Sequence, residues 1–556
     1  MGDDMTWKWI DSSKIKYRRM TSGQKMNRFI SLCIVLMSIV LVCSFFLKIR
    51  LISRNMPYSC HYDEKYVAEP ALSILKTGDF NPHSFRYPSL PIYLAAASFT
   101  MGYLNSAANA ELKNTKDLEP KVYPYFKHPG IIWHAKVVFT LLSALAMICM
   151  ALIAYRFYKN PFFLFGVPLI ASLSYYYFYV SAYYLNVDTV ATFFIFLVYL
   201  HHSFTIDRDS ILHKVVIPGI LSGLVIACKY NLVWIIAPSI LVILFNTKKK
   251  RTAKILSVFL IMLLTFVLIV PFSILDFSTF LDWLAFDITA YKNESFIYAS
   301  TPGLPLLIYY LGYFLEDFGL LCLLALFGII AGFFYDWKKT IILLSFPLLL
   351  LFHLASYALH FPRNIMSLFG FFAIFAALGT VYIYKLLCRL FFKLSRPQWP
   401  RGVKKAVVFL FLTIILFFPV KDAFNKQLEK LPDSRPRAIN WITGNVGKEH
   451  TLIISQELGL YLESLKKKYK IVEWEFGKLD PESFYEKIAV IENPVVVMPL
   501  FRPHREHQLI ARKKADALNA IAESLKKMKV FGENKAIIKY SVYPIDPNPK
   551  IIIGTL

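Results

Sequence analysis

Twelve apolar runs, separated by short turns rich in lysine and arginine, set the first constraint on this chain. They fall at about 28–48, 88–104, 132–155, 162–179, 187–204, 214–229, 231–246, 254–275, 315–335, 340–358, 363–385 and 404–420. Several approach the roughly 20 residues a helix needs to cross a bilayer. A soluble core cannot absorb so many of them, and with 56% hydrophobic and only 18% charged residues the chain has too little polar surface to solvate them. The formal charge of +25 does not point to nucleic acid, because most of the excess sits in the turns between apolar runs. Lysine and arginine held there mark the cytoplasmic side of a membrane protein. The seven cysteines include no CxxC, which implies neither a disulfide framework nor a zinc site.

Charge decides which runs cross. The turns "YRFYKN", "DRDSILHK", "NTKKKRTAK", "DWKK" and "YKLLCRLFFKLSRPQWPRGVKK" are strongly basic and are expected inside. The loops between them carry few cations. A basic N-terminus followed by the Phe29–Leu47 run, with no small-residue cleavage site, reads as an uncleaved first span. These conditions agree only if run 88–104, which starts with two prolines, lies in the outer leaflet as a juxtamembrane helix. The expectation is a polytopic α-helical membrane protein with eleven spans and an extracytoplasmic C-terminus. Residues 1–27 form a cytoplasmic N-terminus, and 28–420 the transmembrane domain, with a first external loop over 49–131. Residues 421–556 form an external domain, where short β-rich runs ("TLIIS", "YKIVEWEF", "NPVVVMPLF", "AIIKYSVYPI") alternate with helical patterns, including 507–528. That spacing suits a small α/β domain with a largely parallel sheet.

Charged residues then gather at the outer mouths of the spans. "HYDEKY" places Asp63 and Glu64 at the start of an amphipathic helix that stops at "TGDFNP", and "FRYPSLP" returns the chain with Arg86. Asp188 in "YYLNVDTVATFF", Lys229 in "CKYNL", and His360 with Arg363 in "LHFPRNI" lie at the same expected depth. An ion at the rim costs less than one at the bilayer centre. There, cations match a lipid-linked phosphate, and a carboxylate can act as a base toward a hydroxyl or amine. His61, Tyr62, Tyr87, Tyr230, Asn231 and His360 flank these charges and form the expected substrate pocket. Each charge alone has a plainer reading: helix-dipole acids for Asp63, Glu64 and Asp188, and interfacial anchors for Lys229 and Arg363.

Taken together, "YDE" after the first span, "TGDF" followed by "RYPSL", the second acid Asp188 and the "RPRAINWI" entry to the last domain resemble the C-type membrane glycosyltransferases. The branch is that of the protein O-mannosyltransferases and the bacterial lipid A aminoarabinose transferase. The resemblance implies a sugar donor on a polyprenyl monophosphate, with Asp63 as general base and Glu64 and Asp188 as its acidic companions. It also implies that Arg86, Arg363 and Lys229 bind the donor phosphate, although this chain has "RYPS" where relatives carry "KPPL" or "HPP". Inversion at the anomeric carbon is expected, with a glycan, lipid or protein as acceptor. No cofactor is required, although Asp63, Glu64 and Asp188 could collect a divalent cation such as Mg²⁺ or Mn²⁺. The competing classes are a flippase or transporter of lipid-linked sugars, which would place charges at the midplane in paired repeats, and a non-catalytic subunit of glycan assembly.

Overall fold

The chain is a multi-pass α-helical membrane protein carrying a small α/β domain. The computed structural model describes residues 23–394 apart from 60, 111, 123–124 and 293–300, and then chiefly 434–474, 481–499, 519–531 and 551–555, with scattered positions between. Among the described residues of the first part there are fifteen α-helices: α1 (Gly23–Asn55), α2 (Lys65–Thr77), α3 (Ser89–Ala108), α4 (Pro129–Tyr158), α5 (Phe162–Leu173), α6 (Tyr175–Tyr183), α7 (Val187–Thr205), α8 (Ile217–Ile226), α9 (Ile236–Asn246), α10 (Arg251–Ile269), α11 (Phe272–Leu275), α12 (Phe277–Lys292), α13 (Leu304–Phe318), α14 (Leu321–Ala355) and α15 (Met366–Leu394). Among the described residues, six helices are long and apolar enough to cross a membrane, or seven if α5 and α6, bent by 86°, count as one span. Leu32, Phe46, Leu260, Leu268 and Phe334 stay exposed on α1, α10 and α14, as side chains facing lipid do. Helix α3, which covers run 88–104, is not one of the six and packs on α2 and α4. Runs 214–229 and 231–246 become shorter apolar helices. Run 404–420 lies almost wholly outside the described residues.

The longest helix hides a reversal. On a continuous helix Gly332 and Thr340 would stand about 12 Å apart, yet a Cβ added to Gly332 would meet Thr340 Oγ1 at 2.8 Å. The backbone leaves the helical region at Asp336 (φ −159°, ψ 94°). Helix α14 is therefore a hairpin of two legs, turning at the "DWKK" expected there. Its first leg crosses α15 where Gly328 faces the Phe375 carbonyl and Gly379 faces the Leu324 carbonyl. Glycine on both sides lets the backbones touch, as small residues do between membrane helices.

The basic turns share one end of the bundle. Tyr158 meets Tyr335, Arg156 lies over Phe204, Phe245 meets Trp337, and Asp209 bonds both Thr247 and Lys254. At the opposite end Asp63, Glu64, Tyr184, Asp188, Lys229 and Arg363 gather, and the C-terminal domain joins them through Tyr461 on Tyr58. So the turns that charge alone grouped are grouped in space.

The C-terminal domain has α16 (Ser434–Asn445), α17 (Glu463–Lys466) and α18 (Pro481–Ala489), with strands β1 (Thr451–Ser455), β2 (Lys470–Trp474), β3 (Pro494–Pro499), β4 (Phe501–Arg502), β5 (Lys526–Phe531), β6 (Ala536–Ile537) and β7 (Ile551–Thr555). Five of them form one sheet in the order β2-β1-β3-β7-β5. Strand β1 is parallel to β2 and β3, while β7 runs antiparallel to both β3 and β5. The sheet is therefore mixed rather than largely parallel. Side chains alternate strictly: Leu452, Ile454, Val495 and Val497 pack with Ala438 and Ile442 of α16, and Ile453, Val496 and Met498 pack with Phe484 and Ile488 of α18. The helix expected over 507–528 gives way to β5 at Lys526, and the rest of that segment is mostly outside the described residues.

The crossing of α14 and α15 makes a testable point. Gly379→Leu forces a side chain into the Leu324 backbone, and overpacking of this kind costs about 1–3 kcal/mol. Gly312→Leu, where nothing lies within 4 Å, serves as control. Thermal scans in one detergent should show a lowered midpoint for Gly379→Leu only.

Candidate active site

The turn that opens the site is locally encoded. His61 caps the 3-10 turn Tyr62–Glu64 by accepting the Asp63 amide on Nδ1 at 3.1 Å, and α2 follows until Gly78, at φ 77°, ends it. Adjacent residues in such a turn point in different directions, so Asp63 and Glu64 part company.

Glu64 turns into the bundle and is fully buried. Its carboxylate takes Lys136 Nζ of α4 at 2.9 Å, the Leu185 amide at 3.0 Å and the Ser59 hydroxyl at 3.1 Å. Asp63 instead faces the domain-bearing rim. Its Oδ2 pairs with Arg363 at 2.6 Å and accepts from the Tyr87 hydroxyl at 3.3 Å. Burial would raise the Asp63 carboxyl, but Arg363, His61, Arg86 and the Tyr87 hydrogen bond together hold it below the ordinary carboxylate range. His61 is pushed down to about 4 by burial. The ring is therefore neutral, with Nδ1 committed as an acceptor, and it stacks on Tyr184 with centroids 4.3 Å apart.

Two further ion pairs adjoin this one. Lys229 donates to Asp188 at 2.8 Å and to Asn364, the neighbour of Arg363, at 2.9 Å. Asp188 opens α7 behind the Asn186 cap, whose side chain accepts the Asp188 amide. Arg86 lies 3.3 Å from Asp287 of α12 and against the rings of Tyr66 and Phe286. Burial pushes Asp287 up to about 6, with Arg86 opposing and Asp63 adding to the rise. Arg86 and Asp63 each contribute to the other's titration, and Asp287 senses Asp63 and Lys229. Asp63, Asp188, Asp287, Arg86, Lys229 and Arg363 thus share one electrostatic neighbourhood in which three carboxylates balance three cations.

The flanking residues divide. Tyr87 touches Asp63 directly. Tyr230 donates to the Phe85 carbonyl at 3.2 Å and so steadies the loop that carries Arg86. Asn231 follows in the same turn. His360 packs on Tyr309 with centroids 3.7 Å apart, and burial lowers its imidazole. The Tyr62 side chain lies outside the described residues. Sequence reasoning did not select Asp287, Asn364 or Lys136. Asp287 had a signal, since 276–313 holds several acids but Lys292 as its only Lys or Arg. Lys136 had none, being a lone cation in an apolar run.

Each cation already has a carboxylate partner, so an arriving anion competes with those carboxylates. A divalent ion fits it poorly for the same reason: among the described residues no three potential ligands converge, and Glu64 is committed to Lys136.

The fold and the site thus define a multi-pass helical membrane protein with a charge-balanced ionic cluster at the rim that bears its C-terminal domain. No family model and no curated protein matches the sequence. Among solved structures, the chain is similar to ArnT from Cupriavidus metallidurans, crystallised bound to undecaprenyl phosphate (12% identity, 93% of this chain and 97% of that chain, TM-score 0.44). It is also similar to the archaeal oligosaccharyltransferase AglB from Archaeoglobus fulgidus in complex with an inhibitory peptide and a dolichol-phosphate (12% identity, 90% and 73%, TM-score 0.47).

Removing one partner of a buried ion pair costs about 3–5 kcal/mol, whereas replacing both is far milder. Lys136→Met should therefore lower the unfolding midpoint markedly, and Lys136→Met with Glu64→Gln should recover part of the loss. Thermal unfolding of the two variants in the same detergent checks this.

Proposed function

We propose that the protein is a membrane glycosyltransferase that moves a sugar from a polyprenyl-phosphate donor to an acceptor at the extracytoplasmic face. One observation carries the reading: Asp63, a candidate base, is held 2.6 Å from Arg363, a cation suited to the phosphate that must leave. The basic turns at the opposite end of the bundle support this side, since lysine and arginine in short loops favour the cytoplasm.

The donor enters from the outer leaflet and its phosphate competes with the carboxylates for Arg363, Arg86 and Lys229. Arginine presents a planar fork that matches phosphate oxygens in pairs. When Arg363 turns to the phosphate, Asp63 loses the partner that held its carboxyl low and becomes a stronger base. Asp63 then takes the proton of the acceptor hydroxyl or amine as that atom bonds the anomeric carbon. The bond from the anomeric carbon to the phosphate oxygen breaks, and the electron pair leaves with the polyprenyl phosphate. The phosphate charge grows during this step, so the cations favour the transition state over the ground state. Direct displacement inverts the anomeric carbon. Asp188 keeps Lys229 in place, Glu64 seats the turn that carries Asp63, and no step runs through a metal.

General-base catalysis contributes about 10²–10⁴-fold, so Asp63→Asn should lower kcat by that factor without raising donor KM, because the carboxylate that competes with the phosphate for Arg363 is gone. Label from a radioactive polyprenyl-phosphate sugar should pass to an acceptor fraction. Label that only crosses vesicles would mark a flippase, and wild-type transfer by Asp63→Asn would remove the base. The pH profile tests the exchange of partners. Because Asp63 works deprotonated, activity is present above its pKa and lost as pH falls through it. In the free enzyme that fall lies below the ordinary carboxylate range. With Arg363 drawn to the phosphate, the acid limb of kcat should stand at higher pH than that of kcat/KM.

A further inference from the structure

The C-terminal domain is seated on the strand of chain that leads into the active-site turn. Tyr58, 1% exposed, takes the Tyr461 amide on its hydroxyl at 3.1 Å, and the Arg435 guanidinium lies 4.2 Å over its ring. Tyr58 forms a β-bridge with Tyr125, and the Phe126 amide donates to the Pro57 carbonyl at 2.8 Å. Tyr125 in turn meets Tyr461 edge-on at 5.2 Å. The next residue, Ser59, donates to Glu64 and to the His61 carbonyl. A continuous path of contacts therefore joins this seam to Asp63.

A cavity of ≈ 200 Å³ opens at the seam. Tyr125 supplies one wall; the rest comes from the end of β1 (Ile454 and Ser455) and the segment after it (Gln456 and Gly459 onward), from Glu463 and Lys466 of α17, and from Glu473 of β2. This is the carboxyl edge of the parallel half of the sheet, where ligands of α/β sheets are generally taken. Gly459, at φ 54°, lets the chain turn back around the opening.

We infer that this cavity is a subsite for one saccharide ring of the acceptor. Its volume is below the roughly 300–1,000 Å³ of sites for drug-sized ligands and leaves room for a single small ring. The lining combines an aromatic side chain, which packs on apolar C–H surface, with a hydroxyl, a carboxamide, carboxylates and an ammonium group, so donors and acceptors are interleaved. Two glutamates against one lysine disfavour an anion, and Lys466 already pairs with Glu473 at 3.3 Å. A neutral or amino sugar meets these demands. The assignment of that sugar as an acceptor rests on the transfer reading above; the binding of a sugar does not.

The test uses the full chain in lipid nanodiscs and saturation-transfer NMR with simple methyl glycosides, neutral and amino, as probes. At least one glycoside should give a signal with the wild-type protein. Tyr125→Ala and Glu473→Gln should abolish it or weaken binding at least tenfold, and Tyr125→Phe, which keeps the ring, should retain it and so controls for folding. Absence of signal with every glycoside, or equal signals from Tyr125→Ala and Glu473→Gln, would overturn the subsite. Asp63→Asn run in parallel separates the two claims: wild-type transfer by that variant defeats the base assignment alone, whereas absence of glycoside binding to the wild-type protein, or binding that Tyr125→Ala and Glu473→Gln leave unchanged, defeats the subsite alone.

Discussion

The buried pair between Glu64 and Lys136 fixes the architecture of the site. Both groups are withdrawn from water, and the attraction over 2.9 Å stabilises them only because the remaining carboxylate lone pairs are also used, by the Leu185 amide and Ser59. The pair ties the turn after α1 to α4 and to the segment between α6 and α7. That segment holds Tyr184, on which His61 stacks, and Asn186, which caps the helix bearing Asp188. One ion pair thereby sets the direction of Asp63 and the position of a second acid. It also explains how two consecutive carboxylates take unlike places: one is an anchor inside the bundle and the other a group at the rim.

Around Asp63 the balance of charge governs what the site can bind. Three carboxylates facing three cations give a cluster that rests near neutrality, and in the transfer we propose an arriving phosphate competes with a carboxylate for its cation. That exchange would connect binding to chemistry, because the carboxylate released is the one whose low affinity for protons depended on Arg363. Asp287, raised to about 6, is the member most ready to take a proton when more negative charge arrives. Helix α12, which carries it, has no fully buried residue and meets the rim through Asp287 on Arg86 and, at the residue just before it, through Asn81 on Asp276.

Much of the fold was legible in the sequence because lipid and sheet impose simple periods. Unbroken apolar runs marked the bundle, short β-rich runs marked β1 to β3, and "TGDFNP" marked the end of α2 through a glycine that adopts a left-handed backbone. Strand β7 was missed because "IIIGT" is a short apolar run that any buried element could contain, and its place between β3 and β5 comes from pairing. Strand β5 was missed because "KKMKVF" is basic, as strands near a sheet edge tend to be. In the site, the structure brings the acids and cations of the span mouths together with Glu64 apart, but their pairing was not readable. Asp287 stands more than two hundred residues from the Asp63 it influences, and Lys136 looked like a solitary charge.

The sequence alone determined that this chain enters a membrane, where its basic turns fall, and which residue types crowd the rim, since hydration and charge act on local composition. Tertiary structure decided that Glu64 faces inward and Asp63 outward, that Arg363 rather than Arg86 touches Asp63, and that a mixed sheet docks on Tyr58. Those outcomes depend on distances between segments far apart in the chain, and only packing brings such segments within reach of one another.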